Sequence, residues 1–258
     1  MRFVPASRPH GRQGPGRPRA RNSGRPDLSP TDQILDAAAA LFIDQGYAAT
    51  TTRAIADRVG VTQPSIYYHF GSKEDILAEL LRRIIQRPLE YGEALAGRDD
   101  VRAAVRLAAL VRCDVHELSS AEHNVGSLFL LPEVRQKRFA SFRADRARLQ
   151  MLYRRLIDAC IEEDDLSPLP TVQHAQEESV RSYLADAVFG LVESVISIRE
   201  DRPVTDRALI EAALQASALR ILGYEGGALR VVVEQAELVA TDMLPETVTA
   251  AAEVPSSL

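Results

Sequence analysis

Apolar residues recur with a helical period from residue 34 onward. Ile34, Ala38, Leu41 and Phe42 stand at i, i+4, i+7 and i+8, one face of a helix. Ser29 is placed to cap it, Pro30 suits its first position, Asp32 completes an S-x-x-D capping pattern, and Gly46 ends it. Ile55 and Val59, four apart, mark a short helix between a Thr51 cap and Gly60. After the turn Gly60-Val61, Thr62 is placed to cap a third helix over about 63–69. Pro64 lies in its first turn, where a missing N–H costs nothing. Ile66 and Phe70 are again four apart and face a small core with Phe42 and Ile55. Ser72-Lys73-Glu74-Asp75 opens a fourth helix, expected to stop near Gln86 ahead of Pro88. Longer periodic stretches follow at about 175–199 and 205–222, with Pro168, Pro170 and Pro203 as punctuation. Val231-Val232-Val233 suits a strand or a helix equally. The expectation is an all-α fold. A three-helix head over 29–75 precedes a larger helical bundle over 76–245, and the helix from about 73 to 86 links the two.

Composition agrees with a core-forming protein: 46% of the 258 residues are hydrophobic and 26% charged. The net charge of −5 conceals an asymmetry. Residues 1–26 hold seven arginines and no acid; with those set aside, 24 basic residues face 36 acidic ones and the remainder carries −12. Residues 1–28 read as a disordered Arg-rich arm and 246–258 as a disordered tail. An acidic body with a basic arm suits nucleic-acid contact at one end, or a merely solvated tail. Cys113 and Cys160 lack metal-ligand spacing and point to a reducing, cytoplasmic setting. No apolar signal region and no uncharged stretch of about 20 residues is present, so neither export nor membrane insertion is expected. His116, His123 and His174 are too scattered for a metal site and read as structural or surface histidines. No nucleophile–base set or phosphate loop occurs, so the chain is not expected to be an enzyme or to carry a cofactor or metal.

Two short helices joined by a glycine turn and braced by a longer one make a helix-turn-helix. With Ile66 and Phe70 turned inward, Gln63, Pro64, Tyr67 and Tyr68 fall on the opposite face. That face offers an amide for a base edge, apolar surface for a thymine methyl, and phenols for phosphates. Arg53, His69 and Lys73 add charge or donors toward the DNA backbone. The segment Thr31–Leu81, notably TTTRAIADRVGVTQPSIYYHFGSKEDIL, resembles the TetR family of bacterial transcriptional regulators. The resemblance implies an all-helical homodimer that binds double-stranded operator DNA and a small-molecule effector. It implies DNA contact by Thr52, Arg53, Gln63, Pro64, Ser65, Tyr67, Tyr68, His69 and Lys73, with Ile55, Ala56, Gly60, Ile66 and Phe70 packing the head. Beyond about residue 90 it is architectural only. In the arm, Gly16-Arg17-Pro18-Arg19 and Gly24-Arg25-Pro26 are similar to an AT-hook core, which makes Arg17, Arg19 and Arg25 candidate minor-groove contacts.

The remaining 160 or so residues exceed what DNA binding needs, which points to a ligand-responsive repressor. The alternative is an effector-independent or partner-regulated binder whose body only dimerises. Arg112, His116, Phe129 and Tyr153 are candidate effector-pocket residues, although an aromatic on an amphipathic helix is ordinarily core. Val188, Leu191, Val195, Ala212, Ala216 and Leu219 are candidate dimer-interface residues, on a long apolar stripe and a run of alanines that permits close approach.

Overall fold

In a computed structural model of the chain, residues 28–164, 166, 177–202, 204 and 206–243 are described. Among them nine α-helices and three short 3-10 turns occur, with no strand. The first three helices are α1 (Pro30–Asp44), α2 (Thr52–Val59) and α3 (Gln63–His69). Ser29 caps α1 by accepting from the Asp32 N–H, Thr51 caps α2 through the Ala54 N–H, and Gly60 closes α2 at φ 84°, a left-handed turn that glycine takes without strain. Thr62 precedes α3 in extended conformation, but its hydroxyl caps no N–H. Pro64 has none to give, and the Ser65 N–H bonds the Thr62 carbonyl instead; the Thr62 hydroxyl turns to Ser65 Oγ at 2.9 Å. Ile55, Ala56, Ile66 and Phe42 are buried together, with Phe70 beside them, as the apolar spacing requires.

Helix α4 (Lys73–Ala96) begins at the Ser72 cap as expected but does not stop before Pro88. It passes through the proline and continues for two more turns. A proline inside a helix costs about 3 kcal/mol. Leu89, Tyr91 and Leu95 beyond it are all buried, and each fully buried large apolar side chain returns roughly 1.5–3 kcal/mol. Gly92 shows how close that packing is: a Cβ there would sit 3.0 Å from Leu152 Cδ1 and 3.2 Å from Leu110 Cδ1. Tertiary burial therefore overrides the local stop signal.

The body is built around α5 (Ala103–Ser120), which is buried along nearly its whole length. Against it pack α4, α6 (Ala140–Glu163), α7 (Glu177–Asp201), α8 (Arg207–Ile221) and α9 (Gly226–Met243). The valine run 231–233 is helical, in α9. The head is tied to the body by polar side-chain contacts as well as by the shared helix. Arg83 of α4 holds Asp32 of α1, His123 Nε2 lies 3.4 Å from Asp36 of α1, and Arg138 lies 3.3 Å from Glu74. The Ser29 hydroxyl and Arg83 together keep the Asp32 carboxyl below its ordinary range.

The dimer candidates divide. Val188, Val195 and Leu219 have no exposed surface and pack the protomer's own core, so they are not available to a partner. A stripe wide enough to cover one side of a helix here serves the inside of the bundle. Leu191 and Ala216 are half-buried and Ala212 is exposed, on the outward side. No helix among the described residues is long and apolar enough to cross a membrane. The arm residues Arg17, Arg19 and Arg25, as well as His174 and the tail 246–258, lie outside the described residues.

Candidate nucleic-acid interface

The outward face of α3 follows from what its inward face must bury. Ile66 is fully buried and Phe70 nearly so, which leaves Pro64, Tyr67, Tyr68 and His69 exposed and Gln63 and Ser65 half-buried. Tyr68 is 86% exposed and Tyr67 50%. A bare tyrosine at 86% on a seven-residue helix contributes almost nothing to the protomer's stability, so its ring is free for a partner. Arg53, on the first turn of α2, is exposed beside this face.

Three contacts set the geometry of the face. Gln63 Nε2 donates to Thr52 Oγ1 at 2.9 Å, and that hydroxyl lies 3.3 Å from Tyr67 Oη, so the start of α2 and the reading side of α3 are joined. His69 Nδ1 lies 3.3 Å from Thr31 Oγ1, which fastens the end of α3 to α1. The rings of Tyr68 and His69 meet edge to face at 5.1 Å between centroids.

Lys73 takes a position that its sequence did not suggest. Its Nζ donates to the carbonyls of Tyr47 at 2.7 Å and Thr50 at 2.8 Å, and sits 4.3 Å from the centre of the Tyr47 ring. The ammonium thus pins the loop between α1 and α2 to the first residue of α4. Thr50, 1% exposed, locks the same loop by donating to the carbonyls of Leu41 and Gly46. Burial pushes the Tyr47 phenol up to about 12, with Glu74 adding to it, so it stays neutral. Tyr47 and Thr50 escaped the sequence reading. The available signal was a lysine on the first turn of a helix, where the macrodipole disfavours a cation unless another partner holds it.

Of the four effector candidates, Arg112 and His116 meet at Glu211 of α8, with Arg112 Nε 3.7 Å from its carboxylate, and the other two lie elsewhere. Arg112 pairs with Glu237 of α9 at 2.9 Å and His116 with Glu211 of α8 at 2.9 Å. Tyr153 is buried on the other side of α5, where its hydroxyl donates to Asp114 at 3.1 Å and its ring meets Phe189. Phe129 packs against Phe142. These are core and surface contacts rather than the lining of one cavity. A cleft of about 590 Å³ opens instead where α1, the end of α5 and the α7–α8 junction meet; Ile43, His123, Asn124, Arg199 and Arg207 line it.

The comparisons with known proteins bear on the head and on the fold as a whole. Residues 34–80 match the family described as bacterial regulatory proteins, tetR family. Among curated relatives, the transcriptional repressor KstR2 of Rhodococcus jostii is 39% identical over 98 residues, covering 38% of this chain and 47% of that protein. The transcriptional activator FasR of Mycolicibacterium smegmatis is 36% identical over 102 residues, covering 38% of this chain and 46% of that one. The matched stretch thus spans about half the length of these relatives. The crystal structure of Mycobacterium smegmatis AmtR superposes with a TM-score of 0.73 at 40% identity, over 83% of this chain and 96% of that one. With the head matching the family model and the fold following a solved relative almost end to end, the protein belongs to the tetR family of bacterial regulatory proteins.

Proposed function

We propose that this protein is a transcriptional repressor that binds a palindromic operator as a homodimer and leaves it when a small-molecule effector binds the helical body. The observation that carries the DNA-binding part is the exposed, polar-aromatic face of α3 on a tightly packed three-helix head. A major groove roughly 12 Å wide admits one such helix. Gln63, Pro64 and Tyr67 then meet base edges, while Arg53, Ser65, Tyr68 and His69 meet phosphates and Lys73 holds the loop behind them. Of the relatives, one is named a repressor and another an activator; the repressor reading follows the former.

The dimer reading is supported by the outward sides of α7 and α8. Tyr183 and Leu209 are 73% and 65% exposed, and between and beside them the surface is small: Ala187, Gly190, Ala212 and Ala213. Small side chains let two helices from each protomer approach as a four-helix bundle with two-fold symmetry. Two heads held this way reach half-sites about 34–36 Å apart. An effector that prefers one arrangement of the body changes that spacing, and a coupling of about 1–3 kcal/mol suffices for regulation.

The test begins with selection of binding sites from randomised DNA by the full-length protein. A palindromic site should emerge, and Tyr67→Ala should abolish binding while leaving the melting temperature unchanged, because Ile66 and Phe70 still hold α3. A small-molecule thermal-shift screen follows. A compound that stabilises the protein and weakens operator binding supports the repressor mechanism; operator binding that no stabilising compound alters supports the effector-independent reading instead.

A further inference from the structure

The Gln63 amide does not hang free. A primary amide carries one acceptor and two N–H donors on a planar frame. One donor is held by Thr52 Oγ1 at 2.9 Å, whereas Oε1 has no partner among the described residues. Thr52 is itself fixed: it occupies the first position of α2 behind the Thr51 cap, and its hydroxyl lies 3.3 Å from Tyr67 Oη. What remains for an approaching base is the acceptor Oε1 and a single N–H.

Bases differ sharply toward such an edge. In the major groove adenine presents the N6 donor beside the N7 acceptor, whereas guanine presents two acceptors, N7 and O6. The Gln63 edge complements adenine and sets Oε1 against a guanine oxygen. An unrestrained amide escapes that conflict by turning over about its terminal torsion, which is broad and roughly two-fold. The Thr52 hydroxyl removes the escape where its own proton is given to Tyr67 Oη: its oxygen is then left as an acceptor, and turning the amide over exchanges a made N–H···O bond for two acceptors in contact.

We propose that Thr52 is a positioning residue for operator reading: it holds the Gln63 amide with its acceptor outward and so makes adenine the base that Gln63 selects. This rests on the DNA-binding reading above and adds a direction of hydrogen bonding that neither the family match nor the relatives' names contain.

The experiment uses the full-length protein and randomised-site selection with wild type, Gln63→Ala, Thr52→Val and Thr52→Ser. The position whose preference relaxes in Gln63→Ala identifies the contacted pair. There the wild type should favour A·T over G·C by on the order of tenfold or more. Thr52→Val should lose that preference while other positions keep theirs, and Thr52→Ser, which retains the hydroxyl, should restore it. Replacing the contacted adenine by purine removes only the N6 amine; it should weaken wild-type binding about tenfold and leave Gln63→Ala binding almost unchanged. A G·C preference at that pair, an unaltered preference in folded Thr52→Val, or indifference to the purine substitution would each overturn the proposal. If Thr52→Val does not fold, Thr52→Ala, which also lacks the hydroxyl, takes its place, and an unaltered preference in it would overturn the proposal in the same way. A wild type that selects no sequence would overturn the DNA-binding reading itself, a separate and recognisable failure.

Discussion

Replacing Asp114 by asparagine should abolish a pH dependence of stability that the wild-type body carries between about pH 4 and pH 7. Asp114 lies on α5, 5% exposed, and its described partner is the Tyr153 hydroxyl. Burial pushes its carboxyl from the ordinary 3.8 up to about 7; the Tyr153 hydrogen bond works the other way, and Glu193 and Glu117 add to the rise. Between those two values the folded protein keeps a proton that the unfolded chain has lost, so stability falls as pH rises. Below about pH 4 both states are protonated, and above about pH 7 both are ionised, so the full loss applies there. At about 1.4 kcal/mol for each tenfold change in proton affinity, the span amounts to on the order of 4 kcal/mol, a large share of a typical net stability of about 5–15 kcal/mol. Asparagine keeps the shape and an acceptor for Tyr153 but cannot ionise. Its buried NH2 costs about 1–3 kcal/mol at every pH, so the slope of the difference carries the information, not its absolute size. Urea unfolding of both proteins at pH 4.5, 5.5, 6.5 and 7.5 measures it. Wild-type stability should fall relative to Asp114→Asn across that range; a constant offset would refute the reasoning.

Lys73→Met removes two charge-assisted bonds to the carbonyls of Tyr47 and Thr50 and should destabilise the head by about 1–3 kcal/mol, read by thermal melting. The slope of log K against log salt for operator binding should stay the same; flattening by about 0.9 would show that Lys73 neutralises a phosphate instead. Ala212→Glu places a carboxylate on the outward face of α8 without disturbing the protomer, and should yield monomers in sedimentation; a dimer would remove that face from the interface. Deleting residues 1–26 removes seven arginines and should flatten the salt slope by several units while leaving the selected half-site intact, whereas an unchanged slope would make the arm a solvated tail.

The head was legible in the sequence because every device in it is local. Caps at Ser29, Thr51 and Ser72, the glycine turn at Gly60, and apolar pairs four residues apart act within one or two helical turns, and the spacing of residue types alone states them. The outward face of α3 followed by subtraction, once Ile66 and Phe70 were assigned inward. The long helices of the body were equally legible as helices. Their partners were not, because a periodic stripe states that a face is buried but not against what. Val188, Val195 and Leu219 carry the same pattern whether they meet their own α5 or a second protomer, and packing gave them to the protomer. Pro88 is the same lesson in reverse: a strong local stop was overruled by burial of Leu89, Tyr91 and Leu95 that only the neighbouring helices supply. Lys73 shows it for a polar group, since the carbonyls that hold its ammonium lie 23 and 26 residues earlier in the chain. Hydrogen bonds and apolar contacts act over a few ångströms of space, so sequence spacing records those made within a helix and is silent on those that folding brings together.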